Sequence, residues 1–321
     1  MYALTVHGGA GTIEPGSISS RQEDHYHQGI VDALRAGSQI LAAGGTALDA
    51  VEAAVRSLED NPLFNAGRGS VFTHEGKHEL EASIMCGKTL KAGAAAGLQR
   101  VKNPVTLARA IMEKSGYVFL AGSGAEAFAR EQKVEFETED YFFTRERYQE
   151  LAEKQEGEGK KADSQADEEK LAGKTMGTVG AVALDEHGNL AAATSTGGLT
   201  NKQYGRIGDS PVIGGGTYAN NTACAVSCTG DGEFFIRAVA AHEVYSQVAY
   251  RGMPVQEACE FLIRQRLEAI AGEGGVIALD RSGNAGMAYN SPNMHRGYIH
   301  SDGTAFSAVF ADKRLLPVIN E

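Results

Sequence analysis

Tryptophan is missing from this chain of 321 residues, and aromatic side chains as a group make up only 7% of it. So few aromatic residues give little basis for binding nucleic-acid bases or sugars by stacking. Basic residues are outnumbered as well, with 30 lysines and arginines against 41 aspartates and glutamates and a formal net charge of −11. Because nucleic acids and anionic membranes attract positively charged proteins, neither is the expected partner.

Long apolar runs are also missing. No stretch approaches the roughly 20 apolar residues that a membrane-spanning helix needs, and the first residues lack the basic and apolar regions of a signal peptide. The four cysteines, Cys86, Cys224, Cys228 and Cys259, show neither a CxxC pair nor a disulfide-like spacing. We therefore expect free thiols and a reducing, cytoplasmic location.

Glycine, in contrast, is abundant, and 40 glycines indicate many tight turns and close backbone approaches. Apolar residues recur at helical spacing from about His25 to Ala43. Thr46 is a candidate cap for a second helix, which ends before Pro62. Strand-like and helical segments then alternate along the chain. This order predicts one layered α/β domain over residues 1–321, with antiparallel strand pairs.

A charged segment interrupts this pattern at residues 150–174, which consist almost entirely of Glu, Lys, Gln, Gly, Ala, Asp and Ser. Such a composition buries too little apolar surface to offset its ordering entropy, so we expect a disordered linker. An apolar segment typical of a buried strand begins directly after it, at Gly177-Thr178. A precursor could cleave itself at this junction, because the freed threonine would supply a hydroxyl nucleophile and an α-amine base.

Two further motifs carry groups suited to such chemistry. Thr196 ends the strand predicted to pair with the one that Thr178 begins, so its hydroxyl could hydrogen-bond the nucleophile. Thr229 and Gly230 lie at a strand-to-helix turn, where a hydroxyl and a backbone N–H suit an oxyanion hole. Each threonine alone is more often an ordinary strand residue, and only their joint occurrence behind the linker favours a site.

A charged pair on one glycine-rich loop completes the set. Arg206 and Asp209 stand three residues apart. The arginine can bind an α-carboxylate through two hydrogen bonds, and the aspartate can bind an α-ammonium group. Taken alone the pair is more often a surface ion pair, but beside the threonines it suits the binding of an amino-acid substrate.

Nucleotide and metal chemistry find weaker support. The string His7-Gly8-Gly9-Ala10-Gly11 follows a predicted strand and is expected to form a turn, but it lacks the G-x-G-x-x-G spacing and an immediate helix. The nine histidines show no ligand spacing such as H-E-x-x-H. A dinucleotide-binding oxidoreductase and a catalytic metal are therefore disfavoured.

In the order of its motifs the chain resembles the plant-type asparaginases and isoaspartyl peptidases of the amino-terminal-nucleophile (Ntn) hydrolase superfamily. The matching strings are HGGAG, NPLFNAG, GTVGAVALD, TSTGG, GRIGDSP and TG-x-GE, which follow one another almost end to end. The resemblance implies a four-layer αββα sandwich of the α/β (α+β) class. It also implies autocleavage before Thr178 into an α-subunit of residues 1–177 and a β-subunit of residues 178–321, assembled as a dimer of αβ units, that is, a heterotetramer.

The same resemblance implies roles for individual residues. The implied catalytic residues are Asn65, Thr178, Thr196, Thr229 and Gly230. The implied substrate-binding residues are Arg206, Asp209, Thr229, Gly230 and Gly232. No cofactor is implied for catalysis. A structural sodium ion is implied, held by the backbone carbonyls of Leu58, Glu59, Asn61, Phe64, Ala66 and Arg68.

The implied activity is the hydrolysis of β-aspartyl (isoaspartyl) dipeptides and L-asparagine through a β-aspartyl ester on Thr178. Two alternatives stay open. One is a glycosylasparaginase, because Asp231 places an acidic residue at the variable position of TG-x-GE. The other is a non-catalytic amino-acid-binding relative. After Gly275 the chain follows the family's pattern less clearly.

Overall fold

Two β-sheets and the helices packed against them make up the computed structural model, which describes residues 1–162 and 177–316. The strands are β1 (Ala3–Gly11), β2 (Leu80–Cys86), β3 (Ala92–Leu98), β4 (Phe119–Ala121), β5 (Val179–Leu184), β6 (Leu190–Thr196), β7 (Thr217–Ala219), β8 (Cys224–Gly230), β9 (Gly274–Asp280), β10 (Ala285–Tyr289), β11 (Asn293–His300), β12 (Ala305–Ala308) and β13 (Lys313–Leu315). The helices are α1 (Ser20–Ala42), α2 (Ala47–Glu59), α3 (Pro104–Ala110), α4 (Gly122–Glu131), α5 (Glu139–Phe142), α6 (Arg145–Ala162), α7 (Gly232–Ala238), α8 (Ala240–Arg251) and α9 (Val255–Phe261). Short π-helical turns follow α3 (Ile111–Ser115) and α9 (Leu262–Leu267), and 3₁₀ turns cover Gly67–Gly69 and Glu268–Ile270.

The strand order places β5 in the interior of the larger sheet. That sheet has nine strands in the order β13-β12-β11-β1-β5-β6-β2-β3-β4, and the smaller has four in the order β10-β9-β8-β7. Of these neighbouring strands, only β3 and β4 run parallel. β5 pairs with β6 so that Val179 lies opposite Ser195, and with β1 so that His7 lies opposite Gly180. The residues just before β5 therefore lie beside the end of β6 and the middle of β1.

Alternate residues of the central strands face opposite layers, as the pleat of a strand requires. On one face Leu4 of β1 and Val179 of β5 pack with residues of α1 and α2 such as Val51. On the other face Val182 of β5 packs with Ile277 of β9, in the small sheet. The far side of the small sheet packs against α7, α8 and α9. Both sheets thus bury both faces, and the strands that carry or adjoin the candidate site residues are held from two sides.

The two long helices over β1 and β5 begin with side-chain caps. At the start of α1 the Ser19 hydroxyl accepts a bond from Gln22 N, and the Gln22 side chain accepts one from Ser19 N, at 3.3 and 3.0 Å. Thr46 Oγ1 accepts a bond from Asp49 N at 3.2 Å, so the predicted cap of the second helix is confirmed. Such caps bind N–H groups that the first turn of a helix leaves unpaired.

Helix α6 corrects the expectation of a disordered linker over residues 150–174. It extends from Arg145 to Ala162, so the first half of that segment is helical. Its glutamates, lysines and glutamines are residues that favour helices, and Leu151 is buried with 5% of its surface exposed. One buried leucine on a polar helix is a weak sequence signal. Residues 163–174 lie outside the described part of the chain.

The glycine string after His7 also differs from the prediction. It continues β1 as far as Gly11 instead of forming a turn, with a bulge between His7 and Gly9 in the pairing with β11. The sequence interpretation did not identify β11, which lies in the region where the resemblance is less clear. Because β11 pairs with β1 along its length, it supports the strand from the side opposite β5.

The thiols and the helices bear on two expectations from composition. None of the four cysteines forms a disulfide, as their spacing predicts. Every helix within residues 1–162 and 177–316 is too short or too polar to cross a bilayer.

Candidate active site

Thr178 lies directly before β5 and is almost fully buried, with 5% of its surface exposed. Its hydroxyl donates a hydrogen bond to Thr196 Oγ1, and the two oxygens are 3.3 Å apart. Thr196 is the last residue of β6, so the hairpin of β5 and β6 brings the two threonines together, as the sequence predicts. The hydrogen bond between the two threonines therefore fixes the position of the candidate nucleophile.

The carbonyl oxygen of Gly177 receives two hydrogen bonds from side chains. Asn65 Nδ2 donates to it at 2.9 Å and Thr196 Oγ1 at 3.1 Å. Asn65 is itself held in place, because its Oδ1 accepts from Val71 N at 3.0 Å and its Nδ2 also donates to Gly198 O at 2.8 Å. Two donors on one carbonyl polarise it and would stabilise negative charge that develops on its oxygen. The carbonyl of the peptide bond before Thr178 is therefore polarised by two side chains.

His7 is a buried residue of the site that the sequence interpretation did not identify. Burial lowers its pKa to about 3, so the ring is neutral at physiological pH. Its Nδ1 lies 2.9 Å from the carbonyl oxygen of Thr178, and its Nε2 lies 2.8 Å from Ser227 Oγ. A carbonyl can only accept, so Nδ1 carries the proton and Nε2 accepts from the serine hydroxyl. His7 thus fixes the main chain of Thr178 through its carbonyl oxygen.

Close packing of glycine also shapes this peptide. Gly9 has a φ of +109°, a conformation that favours glycine. A Cβ atom at this position would lie 2.9 Å from Gly177 Cα and 3.0 Å from Thr178 N. The main chain of β1 therefore packs directly against the Gly177–Thr178 peptide, and only a glycine fits there.

A small cavity joins Thr178 to the predicted substrate-binding loop. Its lining residues are Gly177, Thr178, Thr196, Gly198, Leu199, Arg206, Gly208, Asp209 and Gly230. Five of the predicted catalytic and substrate-binding residues, together with Gly177 of the predicted cleavage site, thus share one cavity. They belong to both halves of the predicted site, the nucleophile side and the substrate-binding side.

Asp209 is a buried carboxyl group that is suited to bind a positively charged partner. Burial raises its pKa to about 7 in spite of the nearby Arg206. Its Oδ2 is buried and accepts no hydrogen bond from the described residues. A buried carboxylate oxygen without a partner is costly, so an ammonium group entering the cavity would find strong binding there.

Arg206 is paired, but with a different carboxylate from the one that the loop spacing suggests. Its Nε and Nη2 donate to the two oxygens of Glu233 at 2.8 and 2.9 Å. This bidentate bond fixes the guanidinium plane and leaves Nη1 outside the pair. Glu233 is the last residue of the TG-x-GE string, and the sequence interpretation gave it no role of its own.

Of the remaining predicted residues of the TG-x-GE string, only Gly230 is among those that line the cavity, and Thr229 and Gly232 lie next to it in the chain. The hydroxyl of Thr229 is buried and accepts a bond from Ala10 N at 3.1 Å. Gly230 lines the cavity and has a φ of +150°. A Cβ atom on Gly232 would lie 2.8 Å from Arg206 Nη2 and 2.9 Å from Asp209 N. Gly232 therefore allows the start of α7 to pack against the substrate-binding loop.

The segment from Leu58 to Arg68 offers the oxygen ligands that the implied sodium ion needs. Leu58 and Glu59 end α2, where the last carbonyls of a helix lack helical partners and the helix dipole is negative. Four of the six carbonyls accept backbone hydrogen bonds, those of Leu58, Asn61, Phe64 and Ala66. A carbonyl oxygen has a second lone pair, so such bonds are compatible with metal binding. Carbonyl oxygens are ligands that a hard cation accepts, and these residues would hold the implied ion through them.

Comparison with known proteins places the chain in a family. The model of the asparaginase family matches residues 1–308. The isoaspartyl peptidase of Escherichia coli is 47% identical over 313 residues, which cover 97% of this chain and 96% of that protein. The isoaspartyl peptidase of Salmonella typhimurium is 46% identical over 310 residues (96% and 98%), and the human isoaspartyl peptidase/L-asparaginase is 42% identical over 292 residues (91% of each). The resemblance found in the sequence motifs is confirmed, and the chain belongs to the asparaginase family.

Proposed function

We propose that this protein is a self-cleaving threonine hydrolase that acts on β-aspartyl dipeptides and L-asparagine. One observation carries the proposal: the carbonyl of Gly177 accepts bonds from Asn65 and Thr196, beside the buried hydroxyl of Thr178. A threonine that only served as a strand residue would not need two side-chain donors on the peptide before it.

The first reaction is cleavage of the chain. The Thr178 hydroxyl attacks the carbonyl carbon of Gly177, and Asn65 and Thr196 stabilise the charge on the carbonyl oxygen. The C–N bond breaks, the nitrogen takes up the proton that the hydroxyl loses, and an ester joins Gly177 to Thr178. Water then hydrolyses the ester, which leaves a carboxylate on Gly177 and a free amine and hydroxyl on Thr178.

The second reaction uses the freed threonine on a substrate. The α-amine accepts the hydroxyl proton as Thr178 Oγ1 attacks the side-chain carbonyl of a β-aspartyl group. The bond to the leaving amine breaks, that amine takes up the proton, and a β-aspartyl ester remains on Thr178. Water hydrolyses the ester and aspartate is released. The backbone N–H of Gly230 and the hydroxyl of Thr229 would bind the oxyanion.

The substrate-binding loop would select the aspartyl group by its charges. Asp209 is buried with one oxygen unpaired, which suits an α-ammonium group. Arg206 is held with its guanidinium at the cavity, which suits the α-carboxylate. Both charges are free in a β-linked dipeptide, while an α-linked peptide has its carboxylate in the peptide bond. We therefore expect that α-linked aspartyl peptides are not hydrolysed.

Family membership and the layering of the fold support a proposal for the wider organisation. The two sheets with helices outside each are consistent with a four-layer αββα sandwich of the Ntn type. We infer an α-subunit of residues 1–177, a β-subunit of residues 178–321, and a dimer of the αβ units. Sodium bound by the loop after α2 would stabilise the segment that carries Asn65. The cytoplasmic location remains a prediction from the free thiols.

Hydrolysis of β-aspartyl dipeptides by the cleaved protein tests the proposal. The substrates are β-aspartyl-leucine, α-aspartyl-leucine, L-asparagine and a glycosyl-asparagine, each assayed for released aspartate. The proposal predicts turnover of the first and third and none of the second. A preference for the glycosyl-asparagine would favour a glycosylasparaginase, and aspartate binding without any turnover would favour a non-catalytic relative.

A further inference from the structure

A buried ion pair lies directly beneath the substrate-binding loop. Glu81 of β2 has no exposed surface, and its Oε1 lies 3.1 Å from Lys202 Nζ, whose side chain is 2% exposed. The ammonium group also donates to Glu79 O at 3.2 Å and lies 3.6 Å from Glu79 Oε2. Taking two charges out of water is expensive, and hydrophobic residues of similar size would stabilise the fold at least as well. Such a pair therefore calls for an explanation other than stability.

The second carboxylate oxygen of Glu81 holds the loop itself. Glu81 Oε2 accepts a hydrogen bond from Gly208 N at 2.9 Å. Gly208 lies between Arg206 and Asp209, the two residues proposed to bind the substrate's charges. A Cβ atom on Gly208 would lie 2.9 Å from Arg206 Nη1, so the loop is closely packed at this point. The orientation of both binding residues thus depends on a peptide bond that Glu81 anchors.

The same pair contacts the nucleophile side of the cavity. Glu81 lies opposite Thr196 in the pairing of β2 with β6. Lys202 Nζ would lie 2.9 Å from a Cβ atom on Gly198, whose N–H donates to Thr196 Oγ1 at 3.0 Å. Glu81 therefore contacts the substrate-binding loop at Gly208. Lys202 contacts the turn at Gly198, which supports Thr196 and through it Thr178.

We propose that Glu81 is a positioning residue for substrate binding, which fixes Gly208 and thereby the spacing of Arg206 and Asp209, with Lys202 as its neutralising partner. This inference rests on the substrate-binding part of the proposed function. Glu81 touches no substrate in this account and acts only through the loop. Its charge also enters the electrostatics of the site, because the charges of Arg206, Glu81 and Glu233 act on the pKa of Asp209. Lys202 lies beside Glu81, and cleavage would add the α-amine of Thr178.

Two substitutions distinguish the effect of the Glu81 charge from the effect of its side-chain length. Glu81→Gln keeps the size and an oxygen acceptor but removes the charge, and Glu81→Asp keeps the charge but withdraws the carboxylate from Gly208. We expect either change to raise KM for a β-aspartyl dipeptide by about 10-fold with kcat within about threefold, because substrate binding is lost equally in the ground and transition states. Only Glu81→Gln should move the acid limb of kcat/KM to lower pH, because a negative charge beside Asp209 is removed.

Together with Glu81→Gln, the variants Lys202→Met and Glu81→Gln/Lys202→Met form a double-mutant cycle. The single Lys202 change leaves the carboxylate buried and unpaired, so its effect on KM should exceed that of the double variant. The matched control is Glu135→Gln, which breaks the surface ion pair of Glu135 with Lys102, 3.0 Å long, far from these contacts. The control should leave KM and the pH profile unchanged.

Two quantities are measured for each variant. One is the turnover of a β-aspartyl dipeptide, and the other is the binding of L-aspartate by calorimetry, which does not depend on catalysis. We expect Glu81→Gln to weaken aspartate binding by about 10-fold, in parallel with KM. Wild-type KM and aspartate affinity in both Glu81 variants would overturn the inference, as would a loss confined to kcat. If the wild-type protein binds aspartate but turns over no β-aspartyl dipeptide, the proposed function fails, and the aspartate affinities still decide the role of Glu81.

Discussion

The side-chain amide of Asn65 donates from Nδ2 to the carbonyl oxygen of Gly177 at 2.9 Å, across 112 positions of the chain. Gly177 is the residue that would become the end of the α-subunit. The loop after α2 and the junction before β5 are thus linked by one hydrogen bond at the bond to be cut. Its donor is neutral, so it can stabilise an oxyanion without a pH-dependent charge.

Replacing Asn65 with aspartate should slow self-cleavage by about 100-fold, the usual cost of one oxyanion donor. The variant keeps Oδ1 as the acceptor for Val71 N but loses the amide that donates to Gly177 O. The rate is measured as first-order loss of the 33.9 kDa chain on denaturing gels. Circular dichroism verifies that the variant is folded.

Asn221→Asp is the control for this change. Asn221 also accepts from a backbone N–H, that of Leu190 at 2.9 Å, and also donates from its amide, to Asn189 at 3.1 Å. It lies at the opposite end of β6 from Thr196. Equal slowing by both substitutions would mean that Asn65 acts only through the fold.

Thr196→Val should slow self-cleavage and also lower kcat on dipeptides, whereas Thr196→Ser should approach wild-type rates. Valine has the shape of threonine without the hydroxyl that donates to Gly177 O and accepts from Thr178. We expect about a 100-fold decrease in the cleavage rate for valine. A serine variant as slow as the valine variant would show that the methyl group, and not the hydroxyl, is required.

Gly9→Ala should leave the chain uncut or slow its cleavage severely. The added Cβ would lie 2.9 Å from Gly177 Cα at a φ of +109°, so the peptide before Thr178 must shift. Gly16→Ala is a control for the backbone conformation, since Gly16 has a φ of +82° and open space around it. Rapid and complete cleavage of the Gly9 variant would contradict the close packing described for β1.

Asp209→Asn should abolish substrate binding and yet stabilise the protein above pH 7. The pKa of Asp209 is raised from 3.8 to about 7, so the folded state keeps its proton longer than the unfolded state does. Ionisation of this group therefore lowers the free energy of unfolding as pH rises from about 4 to 7. An asparagine at position 209 does not ionise, so the variant avoids this decrease. We expect a gain on the order of 1–3 kcal/mol at pH 8 and none at pH 4.

Thermal unfolding of both proteins at pH 8 and pH 4 measures this difference. The control is Asp302→Asn, because a hydrogen bond from the Thr304 N–H lowers the pKa of that exposed carboxyl to about 2. Its replacement should not raise the midpoint at pH 8. A rise for Asp209→Asn that is equal at both pH values would contradict the raised pKa. The same ionisation predicts that kcat/KM of the wild type falls as pH drops below about 7.

The parts of the site that follow from local pattern could be predicted from the sequence. The hairpin of β5 and β6 has a turn of polar residues between apolar runs, so Thr178 and Thr196 could be expected to meet. Asp209 and Gly230 belong to motifs of the family, and the structure brings both to the cavity of Thr178.

The parts of the site that depend on contacts between distant positions of the chain could not be predicted from the sequence. His7 reaches Ser227 across 220 positions, and Glu81 reaches Gly208 across 127. Neither residue stands in a spacing that signals its partner, and a buried glutamate is not expected from composition. The pairing of Arg206 with Glu233 depends in the same way on how α7 packs against the loop. Helix α6 was missed for another reason, since polar helices and disordered linkers share a composition.

Intact mass and amino-terminal sequencing of the purified protein, beside a Thr178→Ala variant, show whether self-cleavage frees Thr178. We predict that the wild-type chain yields two fragments, that one begins Thr-Val-Gly-Ala, and that the variant stays a single chain without activity on β-aspartyl dipeptides. A wild-type protein that hydrolyses these dipeptides as one uncut chain, or a Thr178→Ala variant that cleaves itself between Gly177 and residue 178, would contradict this prediction.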